Sequence, residues 1–131
     1  MAQTISTEGL DIFIDGQTIE MRIHGVRKTS NTREGARLFH MVRTDDIKGV
    51  IFDGRYAIYQ LSALEFEERC RLFARMCRGR AVAYVDRPYQ DDQVKKVVNI
   101  HHEMGSPSRI FRSMEKARHW IAERTLAQDE G

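Results

Sequence analysis

The chain has 131 residues, enough for one domain with a sizeable core and too few for two ordinary domains. Hydrophobic residues make up 41% and charged residues 31%, a globular balance that excludes disorder as the starting assumption. With 21 basic and 19 acidic side chains the formal charge is +2, too even to mark a nucleic-acid binder.

No apolar run approaches the roughly 20 residues that span a bilayer, so no membrane span is expected. The opening MAQTISTEGL has neither a basic nor an apolar signal region, and a cytoplasmic location is the expectation. Cys70 and Cys77 are seven apart within a predicted helix. That spacing separates them by about 10.5 Å along the axis, too far for a disulfide. No further Cys or His accompanies them at zinc-binding spacing, so they are read as core residues, with no metal and no cofactor expected.

Residues 1–9 carry little apolar content and read as a flexible tail, leaving one domain over 10–126 and a second flexible tail over 127–131. The runs LDIFID and QTIEMRIHG flank Asp15-Gly16, a hairpin signal of type I′, and Ile19, Met21 and Ile23 alternate with polar residues. Strand 10–14 then stands at a sheet edge, where it could pair between two copies as a homodimer. Asn31 and Glu34 have capping-box spacing ahead of an apolar stripe at Leu38, Phe39 and Val42, which predicts a helix.

Ile47 to Phe52 is apolar at consecutive positions, as in a strand covered on both faces, and Asp53-Gly54 closes it. The segment 54–61 reads as a loop, with Tyr56, Ile58 and Tyr59 more a plug for the core than an exposed patch. Ser62 and Glu65 form a capping box and Leu61 and Phe66 a hydrophobic staple for a helix carrying Phe66, Cys70, Phe73 and Cys77 on one face. The cluster Arg69, Arg71, Arg75, Arg78 and Arg80 opposes the dipole of that helix in its C-terminal half. Residues 80–86 form another buried strand, Asp91 or Asp92 caps the next helix, 108–111 is a short strand, and Ser113 caps the last helix. In that last helix Met114, Ala117, Trp120 and Ile121 face inward. Strands alternating with helices after a hairpin predict a single α/β domain: a mixed, mostly parallel sheet with an N-terminal β-hairpin and four helices.

Parallel sheets gather their sites at the carboxyl ends of the strands, which here deliver Asp53-Gly54-Arg55, Asp86-Arg87 and Arg112-Ser113. Asp53 and Asp86 could ligate a metal or act as an acid/base pair, yet Asp at a strand end is also an ordinary turn former. No glycine-rich phosphate loop, HExxH or GxSxG occurs, and no nucleophile has a visible base, so the chain reads as no enzyme. Ser62 is a cap that a kinase could also phosphorylate at the helix N-terminus.

The segments KGVIFDGR, RAVAYVD and SRIFRSMEKARHWI, in this order of elements, resemble the SpoIIAA-like group of the STAS superfamily of anti-sigma factor antagonists over about residues 10–125. In that family a loop bearing Asp-Ser-Ser-Gly opens the next helix, and its second serine is phosphorylated to switch partner binding. Here the place reads Gln60-Leu61-Ser62-Ala63, where only Ser62 matches. The resemblance implies a non-enzymatic regulatory or protein-binding module, with a protein partner meeting Asp53, Gly54, Arg55, Tyr56, Tyr59, Ser62 and Asp86. The alternative is a binder of a small apolar or lipid-like ligand in a pocket under residues 54–61.

Overall fold

The computed structural model describes residues 2–130 and, for residues 127–130, the backbone alone. In chain order the elements are β1 (Gln3–Thr7), β2 (Leu10–Asp15), β3 (Thr18–Arg27), α1 (Thr29–Val42), β4 (Gly49–Tyr59), α2 (Ala63–Met76), β5 (Ala81–Val85), α3 (Asp91–Glu103), β6 (Ser108–Phe111) and α4 (Met114–Glu130). A short 3-10 turn, Pro88–Gln90, precedes α3. The six strands lie side by side in sequence order; β1, β2 and β3 form an antiparallel meander and β3 to β6 run parallel. The expected fold class is therefore the observed one, with one strand added.

That strand is β1, in the segment expected to be a loose tail. Its Gln, Thr and Ser side chains suit a sheet edge with solvent on both sides, and Ile5 alone packs on the core. By pairing with β2 it moves the edge outward, so strand 10–14 lies inside the sheet and cannot pair with a second copy. At the other end the helical backbone runs through the segment expected to fray as far as Glu130, and Gly131 lies outside the described residues.

Other boundaries move for local reasons. The β2–β3 turn centres on Gly16-Gln17, and only Gly16 has a positive φ, 59°, so the type I′ geometry expected of Asp-Gly does not form. α1 starts two residues ahead of Asn31, whose Oδ1 accepts from the Lys28 N–H at 2.7 Å as the reciprocal partner of the cap position. α3 has Gln90 at its cap position, and Asp91 is its first residue. Ser113 does cap α4, its Oγ accepting from the Lys116 N–H at 3.3 Å.

The consecutive apolar residues of β4 and β5 serve two cores. Val50, Phe52, Val82 and Tyr84 face α1, α2 and α3, with Phe52 stacked on Tyr84 at 4.9 Å and edge-on to Phe73 at 5.7 Å. Ile51, Ala81, Ala83 and Val85 face α4, meeting Ala117, Trp120 and Ile121. Gly49 permits that second layer to close, because a Cβ there would stand 2.6 Å from Ile121 Cγ2.

β4 is where the structure departs most from expectation. Pairing with β5 stops at Asp53–Val85, yet β4 continues along β3 to Tyr59. Between Asp53 and Tyr56 it spends one residue more than β3 spends between Arg22 and His24, a bulge at Gly54-Arg55 that bends the strand onward. The expected loop 54–61 is thus largely a strand with one neighbour, projecting beyond the sheet.

Candidate functional site

The strand ends do assemble the residues singled out in sequence, but in separate roles. Asp53 is 3% exposed and bound on both oxygens by Arg55, Nε to Oδ1 at 2.9 Å and Nη2 to Oδ2 at 2.9 Å. This hydrogen bonding raises the Arg55 pKa. Strand alternation turns Asp53 to the α4 side with Ile51 and Asp86 to the α3 side with Tyr84, so the two carboxylates form no acid/base pair. Among the described residues no group of three His, Cys, Asp or Glu side chains could hold a metal ion.

Asp86, 2% exposed, pairs with Arg112 Nη1, and Arg112 Nη2 reaches Asp91 Oδ2 at 2.7 Å. The remaining oxygens, Asp86 Oδ2 and Asp91 Oδ1, are buried without a donor. The two carboxyls act on each other through a side-chain hydrogen bond, which needs one proton held between them. Burial first, and then this neighbour, push Asp86 up to about 6. The Gln90 side chain closes the same corner: its Nε2 donates to the Gly54 carbonyl at 2.8 Å and its Oε1 accepts from the Arg87 N–H at 2.8 Å.

The β4 projection divides its side chains between two faces. Tyr56 (56% exposed) and Ile58 (58%) stand in solvent beside Val26 of β3, while Ala57 is buried and Tyr59 turns inward onto Phe66, ring centroids 5.4 Å apart. The plug expectation therefore holds for Tyr59 and fails for Tyr56 and Ile58. Alternation along a strand imposes the split, which a loop would not. Arg87 lies 4.5 Å and Arg55 5.5 Å from the Tyr56 ring.

Ser62 caps α2 as expected. Its Oγ accepts from the Glu65 N–H at 3.1 Å, and Glu65 Oε1 accepts from the Ser62 N–H at 3.0 Å. Thr29 Oγ1 donates to Glu65 Oε2 at 2.6 Å, tying α2 to the start of α1. These hydrogen bonds, that from Thr29 the largest, hold the Glu65 carboxyl below its ordinary pKa. Replacing Ser62 by Ala is expected to lower unfolding free energy by about 1 kcal/mol, measured by urea denaturation.

Beneath Tyr59 lie polar groups that sequence reasoning passed over. Arg69, placed with the dipole-opposing cluster, is instead buried, its guanidinium 4.8 Å from the Tyr59 ring and 5.1 Å from Phe73. The signal was its spacing, three residues after Phe66 and four before Phe73, which puts it on the core face of α2. Tyr84 Oη and His101 Nε2 are 3.0 Å apart, and burial pushes His101 down to about 4. Burial likewise raises Cys70 to about 11 and Cys77 to about 12, so both stay thiols. The cavity among Tyr59, Phe66, Arg69 and Tyr84 measures about 20 Å³. Binding pockets for drug-sized ligands run to roughly 300–1,000 Å³, so a lipid-like ligand has no room here.

The Asp86 corner sets a pH signature. A carboxyl whose folded pKa is raised contributes stability that is complete below the unfolded pKa near 4 and is lost as pH rises through about 6. His101 slopes the other way, its contribution being lost as pH falls from its unfolded value through about 4. A comparison of two proteins at each pH isolates Asp86. Asp86→Asn, whose amide donates permanently to Asp91, is expected to match the wild type near pH 4 and exceed it in urea midpoint above pH 6.

No protein-family model matches this sequence, and none of the curated proteins matches it. Among solved structures, an uncharacterized protein from the DUF3478 family with a SpoIIAA-like fold, from Shewanella loihica PV-4, is similar with a TM-score of 0.62 at 10% identity over 92% of each chain. The anti-sigma factor antagonist SpoIIAA in its unphosphorylated form is similar with a TM-score of 0.52 at 10% identity, over 94% of this chain and 97% of that one. Taken with the meander, the parallel strands and the four helices, these likenesses show that the chain has the SpoIIAA-like fold.

Proposed function

We propose that this domain is a non-enzymatic regulatory module of STAS type that binds a protein partner at the carboxyl end of its parallel strands. One observation carries the reading. Of the seven large hydrophobic side chains exposed among the described residues, Val26, Tyr56, Ile58, Leu64 and Tyr89 belong to that end of the molecule, in β3, β4, the first turn of α2 and the turn before α3. Met41 and Leu126 lie on other elements away from it. Such a concentration supports an interaction surface there.

The remaining strand-end residues support this surface. Asp53 fixes Arg55 beside Tyr56, the bulge at Gly54 carries the strand outward, and Asp86 anchors Arg112 and the start of α3. Arg55 is neutralised by Asp53, whereas Arg87 makes no ion pair among the described residues. The surface therefore suits an apolar segment with an acidic side chain next to it. Ser62 works in this reading as a cap. A phosphate on it would face the Glu65 carboxylate and loosen the first turn of α2 beside the docking surface. The described solved relative is itself an anti-sigma factor antagonist, which favours a protein partner over a substrate.

The test is affinity capture from the source cells with quantitative mass spectrometry, comparing wild type, Tyr56→Ala/Ile58→Ala and Met41→Ala. A partner retained by wild type and Met41→Ala but reduced tenfold or more by the double variant is the expected result. Equal recovery by all three proteins would overturn the docking surface.

A further inference from the structure

The projecting part of β4 presents a backbone edge as well as a face. In its parallel ladder with β3 the Gln60 N–H donates to Arg27 O at 2.9 Å, so by alternation Tyr56, Ile58 and Gln60 turn their backbone groups to β3. Ala57 and Tyr59 turn theirs to the side where β5 has ended at Val85, and no backbone group among the described residues pairs with them there. The chain leaves β5 through Pro88, which has no N–H to offer. The Gly54 carbonyl, just past Asp53, is served instead by a side-chain amide, Gln90 Nε2 donating to it at 2.8 Å.

The outer edges of the sheet are guarded. β1 is mostly polar, QTIST, and on β6 the His102 Nε2–H donates to the outward Ser108 O at 2.9 Å. The β4 edge instead carries the exposed Tyr56 and Ile58 on one face. On the other, α2 and α3, the helices that precede and follow β5, leave a groove of about 660 Å³ that begins at Leu61, Ser62, Phe66 and Gln93. A strand laid in the line of β5 thus meets apolar side chains on one face, room on the other, and unpaired backbone between them.

Charge selects the occupant. Arg87 lies over the Tyr56 ring with no ion pair among the described residues, and Arg55, beside the same ring, is matched by Asp53 alone. A second copy would bring its own Arg55 and Arg87 to this edge, like charge against like, whereas a segment bearing an acidic residue is attracted.

We infer that the protein partner docks by strand addition: an extended segment with alternating apolar residues and an acidic residue for Arg87 pairs with the backbone of Ala57 and Tyr59, in the line of β5 beyond Val85. This rests on the docking surface proposed above and specifies how it is engaged.

The probe is a library of short random peptides displayed on phage and selected on the immobilised domain. Selected peptides are expected to slow amide exchange at Ala57 and Tyr59, with Ile58 slow whether or not peptide is present. Ala57→Pro removes one outward N–H at an edge position, where proline is tolerated, and is expected to weaken binding about tenfold or more. On the unaltered domain, N-methylating one alternate set of peptide amides is expected to abolish binding and the other set to leave it, which decides the matter should Ala57→Pro not fold. Strand addition is overturned if no peptide is selected, if bound peptide leaves exchange at Ala57 and Tyr59 unchanged, if folded Ala57→Pro binds as tightly as wild type, or if the two methylated sets bind alike. Peptides that need Tyr56 and Ile58 but do not protect Ala57 and Tyr59 remove this inference and leave the docking surface standing. Peptides indifferent both to Tyr56→Ala/Ile58→Ala and to Ala57→Pro remove the two together. Protection of the same amides that rises with protein concentration in the absence of peptide assigns the edge to a second copy and overturns the inference.

Discussion

Much of this molecule depends on one asymmetry between neighbouring strands: β5 ends at Val85, while β4 passes through a bulge at Gly54-Arg55 and continues with β3 to Tyr59. Past Asp53, β4 has one open edge and packs on one of its two faces. Its inward face supplies Ala57 and Tyr59, which roof the end of the core over Phe66 and Arg69. Its outward face has no helix to cover it, because α4 packs along β4, β5 and β6 below the projection. The exposed Tyr56 and Ile58 thus follow from strand alternation meeting unequal strand lengths.

The same projection explains why charge is handled so differently on the two sides. Where the strand ends open to solvent, each acid is matched to an arginine, Asp53 by Arg55 and Asp86 by Arg112. Beneath Tyr59, Arg69 lies against aromatic rings and Arg27 donates to backbone carbonyls.

Sequence reasoning reached the fold because its strongest signals were periodic. Alternation at Ile19, Met21 and Ile23, the unbroken apolar runs around Val50 and Val82, and the Ser62–Glu65 box each correspond to the element found there. It missed β1 because a strand at the sheet edge needs almost no apolar residues; a mostly polar segment with one Ile gives no periodic signal. It read residues 54–59 as a loop because Asp-Gly is strong turn chemistry, and only pairing with the distant end of β3 overrides it. Of the candidate site, the strand-end position of its residues was legible, but not their partners. Arg112 for Asp86, Gln90 for Gly54 and Thr29 for Glu65 are contacts between elements far apart in the chain. Arg69 was hidden by its charge, which made a solvated face the natural reading of a position whose spacing was that of the core.

The extension of β4 is the point on which the exposed surface and the roofed core both stand, and amide hydrogen exchange reads it directly. The Gln60 N–H donates to Arg27 O at 2.9 Å, so by alternation the Ile58 amide also points at β3. Both are expected to exchange slowly, and the amides of Ala57 and Tyr59, which face the side that β5 leaves open, rapidly. Uniformly rapid exchange across residues 55–60 would mean that the segment is a loop, and would contradict the central claim.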